Sequence, residues 1–480
     1  MTQPIIVWFR RDLRIVDHAA LSAAADTGQP IVSLFVLDED EPLGGAARWW
    51  LHYSLEEFAE DLGDLGLDLI LRRGSAREVV PALAKEIGAE AVFWSRLYEP
   101  ATIARDKDIK QSLRGAEIEA RSFPGWLLLE PWQIETQAGE PYKVFTPFWK
   151  AVAEIGEFGA PLPAPSLSAA AKKAPKIESE KLADWALTPT EPDWAGGLRD
   201  TWSPGEQQAR ATLTDFLEER AGAYKECRDL PAKVGTSRLS PHLHWGEVSP
   251  RSVWVAALEE ERHQSDATKG STAFRRELVW REFCQHLLFH WPVLLDEPWK
   301  PEFADFPWAD NEDNLKAWAD GRTGYPIVDA GMRELWVTGW MHNRVRMIVA
   351  SFLTKDLLVH WLRGAEIFED RLVDADLANN RAGWQWVAGS GADAAPYFRI
   401  FNPVTQGEKF DPDGCYVRRY LPELAGLDTK YIHKPWEAPA SALKEAGVEL
   451  GSTYPKPMVD HSRARDKALS AYERIKKKAG

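Results

Sequence analysis

Residues 5–14 read IIVWFRRDLR, five apolar residues followed directly by charged ones. A short apolar run bounded in this way predicts a buried β-strand. Strands that alternate with helices are typical of a parallel sheet covered by helices. The N-terminal part is therefore predicted to be a Rossmann-like α/β domain with a parallel sheet. The other strands are predicted at residues 31–37, 67–71, 90–94 and 117–122, with helices at 46–65 and 101–113.

The loop after the first predicted strand, residues 10–14, contains no glycine. A dinucleotide-binding fingerprint requires glycines at this point, because the backbone must approach the pyrophosphate closely. The sequence therefore predicts that this domain does not bind a dinucleotide in that manner.

The sequence pattern changes twice along the chain. Residues 1–133 are assigned to the α/β domain, and residues 134–202, rich in proline and alanine, to a long connector. Residues 203–480 read as an all-α domain. A chain of 480 residues is long enough for two separate cores, which agrees with this division.

Helix signals support the all-α assignment. Ser203 and Glu206 have the spacing of a capping box, and Ser–Pro pairs at 240–241 and 249–250 are typical of helix starts. Apolar residues over 275–291 recur at the spacing of one helical face.

Composition excludes several classes of protein. Three cysteines that lie far apart cannot form a four-thiolate zinc or iron–sulfur site. The N-terminus lacks the apolar stretch of a signal peptide or membrane span, which predicts a cytoplasmic protein without a membrane partner. A net charge of −15 argues against non-specific coating of DNA, although a local basic groove is compatible with it. Most of the 23 tryptophans are expected to fill the core, which leaves some for stacking or redox chemistry.

Four polar segments are candidates for chemistry, and each has a structural alternative. Residues 235–241 either hold a phosphate or cap a helix. Residues 277–282 either bind a base or form a surface ion pair between Glu277 and Arg281. Residues 340–347 contain polar side chains that need a ligand or an internal salt bridge. Residues 374–403 place acids beside amides and indoles, which suits a heterocycle, and they lack the spacing of metal ligands.

Taken in this order, the motifs resemble the photolyase/cryptochrome family over nearly the whole chain. They are VWFRRDLRIVDHAAL at 7–21, GTSRLSPHLHWGEVSP at 235–250, RELVWREFCQHLLFHWP at 276–292, GRTGYPIVDAGMREL at 321–335, TGWMHNRVRMIVASFL at 338–353 and DLANNRAGWQWVAGSGADAAPYFRIFNPVTQGEKFDPDG at 376–414. The fold that this resemblance implies, an α/β domain joined by a connector to a helical flavin domain, agrees with the division above.

The resemblance also implies that FAD is bound in the helical domain. Asn380 occupies the position that faces flavin N5, and Asp374 and Asp376 lie over the ring and ribose. The implied FAD-binding residues are Tyr224, Thr236, Ser237, Arg238, Leu239, Ser240, Trp280, Arg281, Asn343, Arg346, Asp374, Ala375, Asp376 and Asn380.

The implied activity is light-driven repair of cyclobutane pyrimidine dimers in UV-damaged DNA, by electron transfer from reduced FAD to an extruded lesion. Glu277 would hydrogen-bond the dimer, and Trp280 and Met347 would pack on its thymines. The implied catalytic residues are Glu277, Asn380 and an electron relay of Trp384, Trp361 and Trp308. The implied DNA-binding residues are Arg228, Glu277, Trp280, Asn343, Arg344, Met347 and Gln406.

Related activities differ at identifiable positions. Asn343 and Met347 fit the cyclobutane type, since (6-4) photolyases have a histidine pair in this region. Asn380 also favours repair, because plant cryptochromes typically have Asp there. The alternative is a cryptochrome-type blue-light receptor that acts by signalling, but the chain ends soon after residue 414 and leaves little room for a long C-terminal extension. A monomer is expected.

A second, light-harvesting chromophore is also implied. Residues 98–102, YEPAT, depart from the Asn–Glu pair of folate-binding class I enzymes. The stretch LGGAARWWLHYSL at 43–55 is closer to the class III branch, which implies 5,10-methenyltetrahydrofolate, with a deazaflavin as the less favoured alternative.

Overall fold

A computed structural model describes residues 2–263, 268–394 and 398–479. The chain divides into two compact units. Unit 1 consists of Met1–Gly222 and Ser237–Pro292, and unit 2 of Ala223–Thr236 and Val293–Gly480. This division by contacts does not test the boundaries at residues 133 and 202, which stay a prediction from the sequence.

Unit 1 contains a five-stranded, all-parallel sheet in the order β3-β2-β1-β4-β5. In the register of the central pair, Ile5 lies beside Ile31 and Phe9 beside Phe35. Inner strands of a parallel sheet are buried on both faces, which explains why β1 and β4 are fully buried and mostly apolar, whereas the edge strand β5, EARSF, has no buried residue. The strands are β1 Ile5–Phe9, β2 Ile31–Asp38, β3 Leu69–Gly74, β4 Ala91–Ser95 and β5 Glu119–Phe123.

Helices connect the strands and cover the sheet. They are α1 Ala19–Asp26, α2 Gly45–Leu65, α3 Ala76–Glu86 and α4 Pro100–Gly115. Side chains of the sheet pack with α3 and α4 in a core that includes Trp8, Leu83 and Ile109. The predicted α/β fold is confirmed, and the two predicted helices correspond to α2 and α4. The short helices α1 and α3 were not predicted.

Paired charges fill the crevice beyond the carboxyl ends of β1 and β4. Arg10, which follows β1, donates to both carboxylate oxygens of Asp106 on α4, at 2.8 and 3.0 Å. Arg105 Nη1 donates to Asp38 and to Glu41 at 2.9 and 2.8 Å. Open α/β sheets bind ligands at the carboxyl ends of the strands, at the point where the strand order reverses. In this sheet that point lies between β1 and β4. Side chains of the protein itself occupy that position.

The remainder of unit 1 contains further α-helices and long irregular segments. Its helices are α5 Phe145–Ile155, α6 Gly196–Thr201, α7 Glu206–Glu219, α9 Ser240–Trp245, α10 Pro250–His263 and α11 Thr268–His290. The predicted start at Ser249-Pro250 is confirmed, because Ser249 Oγ accepts the amide of Ser252 at 2.9 Å.

The predicted capping box at Ser203 is wrong. The N-cap of α7 is Gly205, with φ 111° and no side-chain capping bond. Glu206 is buried and accepts the backbone amide of Val16 at 3.1 Å. Its carboxylate therefore accepts a hydrogen bond from the backbone of a distant loop and does not cap its own helix.

Unit 2 is all-helical, as predicted. Its helices are α8 Tyr224–Cys227, α12 Glu312–Ala319, α13 Pro326–Thr338, α14 Asn343–Ser351, α15 Trp361–Arg371, α16 Leu377–Ala388, α17 Pro403–Phe410, α18 Cys415–Tyr420, α19 Ala440–Glu445 and α20 His461–Ala479. One core of buried side chains joins α12 to α16 and α18. Within the described ranges, no helix is both long and apolar enough to cross a membrane.

Candidate functional site

Helix α14 carries four of the predicted site residues near its start. Asn343 is exposed, and Arg344, Arg346 and Met347 are partly exposed. The helix is capped by His342, whose Nδ1 accepts the amide of Arg344 at 3.2 Å. Burial lowers the pKa of His342 to about 4, so the ring is neutral at physiological pH and its Nδ1 stays an acceptor. A neutral histidine thus caps the helix start that carries these side chains.

Arg346 connects α14 to the loop before α16. Its Nη2 donates to both carboxylate oxygens of Asp374, at 3.0 and 2.9 Å, and its Nε donates to the carbonyl of Met341 at 2.7 Å. The internal salt bridge considered for this segment is therefore present. It brings together two residues that the resemblance assigned to FAD.

The start of α16 is organised by Asp376, which accepts the amide of Asn379 at 2.8 Å and follows the partly buried Ala375. One turn on, Asn380 Nδ2 donates to the carbonyl of Ala365 at 2.9 Å and to Glu369 at 3.0 Å. Both acceptors lie on α15, so they fix the orientation of the amide.

The face of α16 beside Asn380 is open. A Cβ added at Gly383, three residues along the helix, would meet no atom within 4 Å. A flat heterocycle therefore has room beside an oriented amide, and a carboxylate–guanidinium pair lies in the same unit. These features fit an isoalloxazine ring. In the described parts of the chain, no group of three or more His, Cys, Asp or Glu side chains is arranged to hold a metal ion.

The three predicted relay tryptophans lie in unit 2. Trp361 directly follows His360, whereas Trp308 lies far before it in the sequence. Both indoles contact the His360 ring, with centroid distances of 5.5 Å for Trp361 and 5.1 Å for Trp308. Trp384 is buried against α15, where it packs edge-to-face on Phe368 at 5.0 Å. Sequence reasoning missed Trp318, whose ring lies 6.0 Å from that of Trp384.

Unit 2 also contains a cavity of about 750 Å³ that includes two predicted DNA-binding residues, Arg344 and Gln406. Arg344 pairs with Asp229 at 3.0 Å and lies 4.4 Å from the ring centroid of Phe410. Three further cations line this cavity and were not predicted: Arg399, Lys409 and Arg465. Arg399 belongs to the fourth polar segment, of which residues 395–397 lie outside the described residues. The cavity has aromatic walls and a cationic lining, which suits a nucleic acid.

The other predicted residues on the N-terminal side of unit 2 are Tyr224, Arg228 and Thr236. Tyr224 is buried at the start of α8, and the Arg228 guanidinium lies 5.5 Å from its ring centroid. Thr236 is partly exposed.

Unit 1 contributes the turn before α9. Arg238 has a left-handed φ of 55°, and Ser237 Oγ accepts the amide of Leu239 at 3.4 Å. Ser240, the first residue of α9, is exposed, whereas Leu239 is buried. The predicted helix start at Ser240-Pro241 is confirmed, with Leu239 as the N-cap and no side-chain capping bond.

Helix α11 carries the remaining predicted residues. Glu277 and Trp280 are partly exposed and lie three residues apart, so they share one face. Arg281 is buried, and its guanidinium donates to the carbonyls of Trp126 and Leu243 at 2.9 and 3.4 Å. Its position in the interior of unit 1 differs from the surface ion pair that was considered as the alternative.

A second groove, of about 530 Å³, lies in unit 1 beside α4. Its lining combines aromatic rings with several cations. The residues concerned are Tyr98, Trp132 and Phe289, with Arg96, Lys107, Lys110 and Arg114. The indole of Trp132 is 47% exposed, which is unusual for so large an apolar group.

Two family models match the chain. Residues 5–166 match the model described as DNA photolyase, and residues 274–474 match the model described as the FAD binding domain of DNA photolyase. The helical unit is therefore an FAD-binding domain.

Full-length relatives agree with these matches. The chain is 54% identical over 477 residues to the deoxyribodipyrimidine photo-lyase of Agrobacterium fabrum, with 99% of both chains covered. It is 39% identical to cryptochrome-2 of Arabidopsis thaliana, of which it covers 80%. Among solved structures, a bacterial class III photolyase from Agrobacterium tumefaciens matches with a TM-score of 0.96 at 53% identity, covering 99% of this chain and 98% of that one. The chain therefore belongs to the DNA photolyase/cryptochrome family.

Proposed function

We propose that this protein is a deoxyribodipyrimidine photo-lyase, which repairs cyclobutane pyrimidine dimers in UV-damaged DNA under blue light. The observation that carries the proposal is the 54% identity to a photo-lyase over 99% of both chains. The cavity in unit 2 supports it, because the described residues that line it include four cations, Arg344, Arg399, Lys409 and Arg465, and two acids, Glu226 and Asp229.

In this proposal FAD is held by residues of α14 and α16, both in unit 2. Bound there in its fully reduced form, FAD would supply, on excitation by light, the electron that opens the cyclobutane ring and would regain it after repair. Asn380 presents an amide that α15 holds in place at 2.9 and 3.0 Å. Arg346 orients the Asp374 carboxylate, so its oxygens can accept hydrogen bonds from the ring or ribose.

The lesion would be extruded from the duplex, which costs least for damaged base pairs. Glu277 and Trp280 have a carboxyl and an indole on one partly exposed face of α11. Met347 of α14 is a partly exposed thioether. Arg228, Arg344 and Gln406 would contact the strand. Phosphate contacts of this kind position the duplex without reading its sequence.

Trp384, Trp361 and Trp308 are proposed to carry electrons to oxidised FAD. Trp384→Phe should slow the photoreduction of FAD, yet leave repair by chemically reduced enzyme intact. Both rates can be followed on one sample by absorbance. Loss of repair by the reduced enzyme would show that Trp384 acts elsewhere.

We further propose 5,10-methenyltetrahydrofolate as the antenna, in the groove beside α4. Tyr98, Trp132 and Phe289 supply faces for a pterin, and Lys107, Lys110 and Arg114 supply charge for a glutamate tail. Chromatography of the chromophores released from the purified holoprotein distinguishes the folate from a deazaflavin. A groove variant, Lys107→Glu, should lose the folate and keep FAD.

The decisive experiment measures cyclobutane dimers in UV-irradiated DNA after incubation with the reduced holoprotein, in the light and in the dark. Light-dependent loss of dimers supports the proposal. If a sample with bound, reduced FAD removes no dimers in the light, a receptor that signals in the manner of the related cryptochromes is the better explanation.

A further inference from the structure

Helix α5 lies in the segment that the sequence predicts as a connector. Its first residue, Phe145, is 1% exposed. The ring of Phe145 lies flat on the indole of Trp280, with a centroid distance of 3.6 Å and an angle of 9° between the planes. Both residues belong to unit 1, although 135 positions separate them in the chain. One face of the Trp280 indole is therefore covered by the protein itself.

A third ring locks this pair. Phe283 meets Trp280 at 75° and 5.8 Å, and it meets Phe145 at 67° and 5.7 Å. The guanidinium of Arg276, one turn before Trp280 on α11, lies 5.3 Å from the centroid of Phe145. With its neighbours in these positions, the indole cannot rotate without displacing a buried ring. Trp280 nevertheless stays partly exposed, so part of its surface is available to a ligand.

We propose that Phe145 is a positioning residue for lesion recognition, which holds the Trp280 indole at the angle at which a thymine dimer stacks on it. This inference rests on the proposed function, in which Trp280 packs on the lesion. A stacking surface that is already fixed loses less conformational entropy when a base binds. The segment at 134–202 would then contribute to substrate selection as well as joining two parts of the chain.

The chain offers a matched control on the same helix. Phe148 is also buried, at 2% exposed, and packs on Phe283 and His286 at 5.2 and 5.1 Å. Within the described residues, the rings that Phe148 meets are those of Tyr142, Phe283 and His286, and the Trp280 indole is not among them. Phe145→Leu and Phe148→Leu therefore remove similar apolar contacts from α5, and only the first removes the flat stack on Trp280.

The experiment measures the dissociation constants of the FAD-loaded protein for an oligonucleotide with one thymine dimer and for its undamaged counterpart. Phe145→Leu should lower the preference for the damaged strand about 3- to 10-fold, the range expected when one freed side chain has to be ordered again on binding. Phe148→Leu should leave this preference unchanged. Phe145→Tyr, which keeps a flat ring, should restore the preference for the damaged strand. In all three variants, repair per absorbed photon at saturating DNA should stay within about twofold of the wild type.

A second measurement tests whether Phe145 acts through Trp280. In protein that already carries Trp280→Ala, adding Phe145→Leu should cause no further loss of preference, because the two changes remove one shared interaction. Equal losses with Phe145→Leu and Phe148→Leu, or additive losses with Trp280→Ala, would overturn the inference. If the wild type itself shows no preference for the dimer, the proposed function fails first, so the two failures can be told apart.

Discussion

Replacement of Gly364 by alanine tests the packing that holds Trp384 in place. Gly364 lies on α15, and a Cβ there would lie 2.5 Å from Cζ3 of Trp384 and 2.7 Å from Cδ2 of Leu353. Ordinary contacts begin near 3.4 Å, so the indole would have to retreat by about 1 Å. Phe368 and Trp318 already contact that indole, at 5.0 and 6.0 Å between centroids, and restrict such a movement.

Overpacking of this kind costs about 1–3 kcal/mol. For a unit of about 200 residues, 1 kcal/mol shifts the melting temperature by about 2–4 °C, so Gly364→Ala should lower the melting temperature by about 5 °C. If Trp384 is the relay residue next to FAD, photoreduction should slow as well, while chemically reduced enzyme should still repair DNA.

The assay combines thermal unfolding of the FAD-loaded protein with the rate of FAD photoreduction under fixed illumination. Gly63→Ala is the control, because a Cβ at Gly63 in α2 meets no atom within 4 Å. That variant should melt at or slightly above the wild-type temperature. Wild-type melting and wild-type photoreduction in Gly364→Ala would refute the close packing of α15 on Trp384.

Three other predictions concern different parts of the molecule. Gly383→Ala should stabilise the apoprotein by up to about 1 kcal/mol, yet weaken FAD binding in a titration, since its Cβ would project into the open face beside Asn380. Burial raises the pKa of Glu282 from 4.5 to about 7 and lowers the pKa of His286 from 6.5 to about 4. The stability contributed by protonated Glu282 is fully present below pH 4.5 and is lost as the pH rises through 7. The stability contributed by neutral His286 is lost as the pH falls from 6.5 to 4. Between pH 4.5 and 6.5 the two pH dependences therefore have opposite signs. Glu282→Gln should therefore unmask a rise in unfolding free energy of up to about 3 kcal/mol between pH 4.5 and 6.5, measured by urea unfolding. Arg465→Gln should weaken binding to damaged and undamaged DNA equally and reduce the slope of log K against log salt by about 1.

The sheet could be predicted from the sequence because each strand is a local signal. An apolar run with polar ends places Ile5–Phe9 without reference to the rest of the chain, and the structure has the same bounds. The capping box at Ser203 failed for a related reason. Its spacing is correct, but Glu206 is used by the amide of Val16, which is 190 residues away. A local motif cannot indicate that a distant loop competes for its carboxylate.

The candidate site divides in the same way. Motifs in sequence order indicated α14 and α16, and the structure joins them through Arg346 and Asp374. No sequence pattern indicated the contacts between distant residues. Examples are the flat stack of Phe145 on Trp280 and the position of Lys409 and Arg465 around one cavity. Phe145 lies in a segment rich in irregular structure, so the sequence offered no reason to assign it a role.

The acidic composition and a DNA substrate are compatible for a physical reason. Non-specific binding to DNA is almost entirely electrostatic, so a net charge of −15 weakens the attraction of this protein to undamaged duplex. Four cations around the cavity of unit 2 offset this locally, where the Debye length of about 8 Å limits the influence of distant acids. An enzyme that must find rare lesions gains from this arrangement, because its affinity then depends on contacts that only an extruded dimer makes. Neutralising surface acids far from the cavity should accordingly raise the affinity for undamaged DNA more than the affinity for damaged DNA, and equal increases in both would contradict this explanation.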